Sequence, residues 1–125
     1  MVDPRRSLGA LGEQLAAQRI TAAGGRVVAR NLRTRQGEID LVVLADDELV
    51  FVEVKTLRAS SARGPWRPVL AVGRAKQLRL RRLARAWLAE RPRLPHLRAM
   101  RFDVIGIVLD HQDFVVDYEH IKNAF

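Results

Sequence analysis

Gly37-Glu38-Ile39-Asp40-Leu41-Val42-Val43-Leu44 and, beyond Ala45-Asp46-Asp47-Glu48, Leu49-Val50-Phe51-Val52-Glu53-Val54-Lys55-Thr56 make up the stretch that decides the fold. Ile39 to Leu44 and Leu49 to Thr56 are rich in Val, Leu and Phe and flank an acidic turn, which is the pattern of a β-hairpin. Side chains alternate faces along a strand, so Phe51, Glu53 and Lys55 share one face and Val50, Val52 and Val54 the other. On the preceding strand Glu38 and Asp40 fall with Val42 and Leu44. The turn is either Asp46-Asp47 or the four residues 45–48, and both give one register. Asp40 then lies opposite Glu53, and Glu38 opposite Lys55. A slip of one residue would move Glu53 to the other face.

Two carboxylates facing each other at about 5 Å repel unless a cation lies between them. Mg²⁺ takes oxygen ligands and keeps several waters, so Asp40, Glu53 and a backbone carbonyl suit it. Lys55 shares the face of Glu53, where it would orient or deprotonate a water or stabilise a pentavalent phosphate. A solvated sheet face with cross-strand ion pairs would account for a lone Asp and an isolated Glu-x-Lys. Here the charges interrupt apolar strands, beside Phe51, Val42 and Leu44.

Working outward, Ser7 is the expected N-cap of a first helix, whose Leu8, Leu11, Leu15, Ala16, Ile20 and Ala23 follow helical spacing. Gly24-Gly25 stops it. Residues 26–32 read as a short strand, and residues 57–72, with Ser60, Ser61, Gly64, Pro65 and Pro68, as a long loop. Trp66 in that loop is expected to tuck onto the core. A second helix spans about 74–90, ahead of Pro92, and strands at 100–109 and 114–118 flank an Asp110-His111-Gln112-Asp113 turn. The order α-β-β-β-α-β-β describes an α/β domain with a helix on either side of a central sheet. On the second helix Lys76, Leu80, Leu83 and Trp87 form one stripe, with Gln77, Ala84 and Leu88 beside it, so Lys76 and Gln77 point inward at its N-terminal end. A helix N-terminus there also favours phosphate. Arg74, Arg81, Arg82 and Arg85 point into solvent. Asp103, between Phe102 and Val104, is expected to be structural, with an arginine such as Arg30 as partner. His96, His111 and His120 show no ligand spacing and receive no role.

The 125 residues suit a single domain over 1–125, large enough for a real core. The absence of cysteine excludes disulfide scaffolds, Cys-based zinc sites and thiol catalysis and fits a reducing compartment. No apolar run approaches the ~20 residues of a membrane span, and no signal-peptide core follows the N-terminus, so a cytoplasmic location is expected. Charge is unevenly placed. Residues 58–101 hold thirteen bases against Glu90 alone, a net +12, while the rest of the chain is −4. Such clustering is the footprint of a polyanion binder.

Asp40 with Glu53-Val54-Lys55 on adjacent hairpin strands resembles the PD-(D/E)xK nuclease superfamily. Gly9-Ala10-Leu11-Gly12-Glu13, Arg30 to Val42, Phe51 to Thr56 and Arg101-Phe102-Asp103-Val104 together resemble the YraN family, a bacterial group related to Holliday-junction resolvases. The superfamily's short motif usually has Pro before its Asp; Ile39 stands there, as is usual in the YraN pattern. The resemblance implies a restriction-endonuclease-like core, with a mixed five-stranded sheet flanked by two helices. It also implies a metal-dependent endonuclease for structured or branched DNA, with a non-cleaving nucleic-acid-binding module as the alternative. Asp40 and Glu53 would be ligands for Mg²⁺ (or Mn²⁺ in its place), Lys55 the catalytic lysine, and Glu13 the helix glutamate that completes the metal site. Nucleic-acid contacts are expected from Lys76, Gln77, Arg33, Arg35, Arg58 and Arg74. Symmetric cutting of a junction favours a homodimer.

Overall fold

A computed structural model describes residues 4–59, 67–91 and 99–125. Trp66, His96 and residues 60–66 of the predicted loop lie outside them. Helix α1 (Pro4–Ala22) is followed by strands β1 (Arg26–Thr34), β2 (Gly37–Ala45) and β3 (Glu48–Arg58). A short 3-10 turn (Pro68–Ala71), helix α2 (Arg74–Ala89) and strands β4 (Ala99–Leu109) and β5 (Val115–Ile121) complete the order. The five strands form one sheet in sequence order. All neighbours are antiparallel except β3 and β4, which run parallel because α2 carries the chain back across the sheet. This is the α/β arrangement expected of the sequence.

Each helix covers one face. Ala16 and Ala17 of α1 bury against Leu41, Val43, Val50, Val52, Val54, Ile105, Ile107 and Leu109. On the other face Leu80, Leu83, Ala84 and Trp87 of α2 pack on Ile39, Val42, Leu49, Phe51 and Phe102. Trp87 meets Phe51 edge-on with ring centroids 5.9 Å apart. The sheet is thus buried on both sides, which is why β3 and β4 read as nearly continuous apolar runs.

Local chemistry sets the element ends. Helix α1 starts at Pro4 rather than after Ser7, which lies inside the helix. Proline is tolerated in a first turn because its missing N–H would have no helical partner. The helix ends where the Gly25 N–H donates to the Ile20 carbonyl at 2.9 Å and Gly24 takes φ +99°. The β2–β3 hairpin closes on Asp46 and Asp47, with φ +50° and +63°, the two-residue turn whose twist matches the strands. The strands are longer than their sequence patterns suggest: β1 reaches Thr34, β2 spans Gly37–Ala45, β5 reaches Ile121, and β3 continues through Leu57 and Arg58 beside Val108 and Leu109.

Helix α1 lies very close to β3 at Gly12, where an added Cβ would stand 1.7 Å from Thr56 Oγ1. Gly12→Ala gains helix propensity but must displace α1 or Thr56. It is expected to lower stability by about 1–3 kcal/mol in urea titration. Adding Thr56→Ala removes Oγ1 and Cγ2 but leaves the residue-56 Cβ 2.8 Å from the new methyl, so the double variant should regain only part of the loss. A double variant as unstable as the single would show that Thr56 is not the obstacle.

Candidate metal and phosphodiester site

The hairpin register is the expected one: Leu41 pairs with Val52 and Val42 with Phe51. The ladder stops there. Asp40 has no backbone partner on β3, nor on β1, where Arg30 pairs with Leu41 and Leu32 with Ile39. Ile39 packs under α2 while Leu41 packs under α1, although simple alternation would place both on one face. Strand β2 therefore turns as it leaves β3, and Asp40 sits in the fork. Its Oδ2 accepts the Val54 N–H at 2.8 Å, taking up a donor that a strand carbonyl would otherwise hold. The carboxyl is fixed against β3 by the backbone itself.

Glu53 is only 5 % exposed. Its Oε1 forms an ion pair with Lys76 Nζ from α2 and lies 3.7 Å from Lys55 Nζ on its own strand. Glu13 of α1 reaches the fork from the other side and accepts a hydrogen bond from the Asp40 carboxyl. Burial first, and then the charge of Glu53, push Asp40 up to about 8, against the pull of the Val54 N–H. Burial, with Glu38 and Glu53 adding, also raises Glu13. Burial lowers Lys55, and the neighbouring Lys76 lowers it further, outweighing Glu53 and Asp40. Lys76 is raised: burial opposes its charge, but its bonds to Glu53 and Lys55 prevail. The fork thus holds three crowded carboxyls, two of them hydrogen-bonded to each other, and two neighbouring amines.

On the α2 side the site opens into a recess of about 240 Å³ lined by Gln36, Gly37, Glu38, Asp40, Glu53 and Lys76, with Arg79, Leu80 and Leu83. Among the described residues no three acidic or imidazole groups form a ready-made metal cage. Glu53 is turned onto Lys76 and Asp40 onto Val54. The donor chemistry fits a hard cation nonetheless. All three acids offer oxygen, and the burial and mutual repulsion that raise Asp40 and Glu13 are what a divalent ion between them would relieve.

The expected site residues therefore divide. Asp40, Glu53, Lys55, Glu13 and Lys76 converge on the fork. Gln77 turns its Nε2 to the Val72 carbonyl at 3.1 Å, bracing the start of α2. Arg33 lies 3.8 Å from Glu38, and Arg35 and Arg74 are exposed. Arg58 does not reach the recess: it donates to the Asp110 carbonyl at 2.6 Å and pairs with Asp113 at 2.8 Å, on the β4–β5 turn. Arg81 is not simply solvated, since its guanidinium lies over the stacked rings of Phe102 and Phe125, 5.1 and 5.5 Å from their centroids. The sequence reading missed Asn31, whose side chain donates to Glu13 from a left-handed backbone with φ +49°. An Asn between Arg30 and Leu32, in a strand otherwise built mainly of apolar and basic residues, was its signal.

Asp103 is structural, but its partner is not Arg30. Arg101 Nε lies 3.0 Å from Oδ1, His120 Nε2 lies 2.8 Å from Oδ2, and the Asn123 N–H donates to Oδ1 at 2.9 Å. Arg30 is exposed on edge strand β1. Arg101 also pairs with Glu48, so this network ties the starts of β3 and β4 to the end of β5. Among the described residues no helix is long and apolar enough to cross a membrane.

Comparison with known proteins gives the family. Residues 12–107 match the model of the uncharacterised protein family UPF0102. A UPF0102 protein of Rhodococcus opacus is 45 % identical over 119 residues, covering 95 % of this chain and 96 % of its own. One from Parafrankia sp. is 46 % identical over 118 residues, 94 % and 95 % of the two chains. One from Moorella thermoacetica is 42 % identical over the full length of both. With the motifs on the hairpin, the helix glutamate and matches across nearly the whole chain, this protein belongs to the uncharacterised protein family UPF0102, the YraN family that its sequence resembles.

Proposed function

We propose that the protein is a metal-dependent endonuclease that hydrolyses phosphodiester bonds in structured or branched DNA. The observation that carries this reading is the fork itself. Asp40, Glu53 and Lys55 meet where the sheet opens, and Glu13 joins them from the opposite helix. In the proposal Asp40, Glu53 and Glu13 hold Mg²⁺, with Mn²⁺ an effective substitute. The bound ion supplies Lewis-acid polarisation of the phosphate and lowers the pKa of water.

The chain's own groups do the rest. The Val54 N–H fixes the Asp40 carboxylate. Lys55, lowered by burial and by Lys76, is suited to take a proton from the attacking water or to lie against the phosphate oxygens. The exposed arginines Arg74, Arg79, Arg82 and Arg85 of α2, with Arg33 and Arg35 at the mouth of the β1–β2 turn, are assigned to backbone phosphates. Two-fold cutting of a junction assigns the active form to a homodimer.

The test is cleavage of labelled four-way junction, flap, single-strand and linear duplex DNA in Mg²⁺ or Mn²⁺, with EDTA and Glu53→Ala as controls. Branched substrates are expected to be cut. EDTA and Glu53→Ala should stop cutting, and retention should weaken steeply between about 50 and 200 mM salt. Salt-sensitive retention with no substrate cut would transfer the protein to the class of non-cleaving DNA-binding modules. No retention at low salt would remove nucleic acid from the reading.

A further inference from the structure

Glu53 Oε1 is contested. Lys76 Nζ is in direct contact with it, Lys55 Nζ stands 3.7 Å away, and the carboxylate is 5 % exposed, leaving little room for a further partner. Lys76 reaches this oxygen from the first turn of α2, across the recess, and its side chain keeps 31 % exposure. A cation that takes Glu53 Oε1 as ligand meets the Lys76 ammonium at that oxygen. The charges give a second reason. Glu13, Asp40 and Glu53 offer at most three negative charges, and a divalent ion added to both lysines would bring four positive ones into a half-buried fork. Displacing one ammonium restores the balance. Lys55 is carried by the same rigid strand as Glu53, whereas Lys76 is on a separate element and is partly open to solvent.

We propose that Lys76 competes with the divalent cation for Glu53, so that metal binding displaces its ammonium and the lysine sets how tightly the site holds metal. Such competition loosens the grip on any one ion, which suits a site served by an abundant cation rather than a trace one. It also gives Glu53 a directly contacting cation whenever the metal leaves, closer than Lys55 at 3.7 Å. The inference rests on the metal-binding reading above.

Titration calorimetry with Mn²⁺ on the full chain separates the two. Lys76→Met is expected to bind Mn²⁺ about tenfold more tightly than the wild type, because a contacting positive charge has been removed. Lys76→Arg keeps the charge and should stay within about threefold of the wild type. Arg79→Met removes a cation that lines the same recess without touching Glu53, and should leave the affinity unchanged. In EDTA Lys76→Met should melt below the wild type, and Mn²⁺ should raise its melting temperature by more than it raises that of the wild type. Mn²⁺ binding of equal or lower affinity in Lys76→Met overturns the competition alone. Equal gains in Lys76→Met and Arg79→Met reduce it to general electrostatics and overturn it as well. No Mn²⁺ binding by any of the four proteins overturns both the competition and the metal-binding reading.

Discussion

Asp40→Asn is expected to abolish cleavage of branched DNA, by about a thousandfold or more, while retention of the same DNA stays intact or improves. Asn keeps the size of the side chain and an oxygen for the Val54 N–H, so the fork should keep its shape. What it loses is the negative charge that a hard cation needs. Below about pH 8 the metal-free carboxyl is protonated, so Asn hardly changes the charge facing the DNA phosphates and retention stays intact; above that value the substitution removes a repulsion and retention improves.

The same substitution has a thermodynamic signature that needs no substrate. The Asp40 carboxyl has an ordinary value of 3.8 and is pushed up to about 8 in the fold. Between those values the folded chain holds a proton that the unfolded chain has released, so this group's contribution to stability falls as pH rises. Asn cannot titrate. In EDTA, Asp40→Asn is therefore expected to be more stable than the wild type at pH 8, with the difference shrinking as pH falls toward 4, as measured by urea unfolding. Wild-type cleavage in the variant would strike Asp40 from the ligand set. A parallel pH dependence of the two proteins would show that Asp40 does not carry the excess proton.

How much of this was legible depends on the range of each interaction. The hairpin was readable because alternation and a two-aspartate turn are local signals, and they fix Leu41 against Val52. Lys76 was readable as an inward residue because the helical stripe through Leu80, Leu83 and Trp87 extends to it. The fork was not. Alternation predicts that Ile39 and Leu41 share a face, and only the turning of β2 away from β3 separates them and presents Asp40 to Glu13. The assignment of Arg58 to DNA failed to anticipate its bonds because its partners Asp110 and Asp113 come from a turn 52 and 55 residues later. His120 and Asn123 went unassigned for a related reason. The apolar pattern of β5 fades after Tyr118, yet β5 pairs with β4 as far as Ile121, opposite Val104.

That last strand end carries the second large effect. Asp103 is 1 % exposed, and its two oxygens are held by Arg101, His120 and the Asn123 N–H. Burial disfavours its charge, but these donors together pull the carboxyl below its ordinary value. Asp103→Ala would take the acceptor from His120 and the Asn123 N–H, leave Arg101 with Glu48 alone and unfasten the end of β5. It is expected to destabilise the protein by about 3–5 kcal/mol, the cost of breaking a buried ion pair from one side. Because the folded value is depressed, the stabilisation is fully present above the unfolded value of 3.8 and is lost as pH falls through the folded one. Urea unfolding at pH 7 should thus show the full difference between wild type and variant, and unfolding below pH 3 a much smaller one. Asp103 does not line the recess beside Glu53 and Lys76, so the folded variant should bind Mn²⁺ with wild-type affinity. A variant as stable as the wild type at pH 7 would mean that the network is replaceable by apolar packing. Altered Mn²⁺ affinity would mean that β4 transmits strain to the fork, and the separation drawn here between the structural acid and the acids of the site would fail.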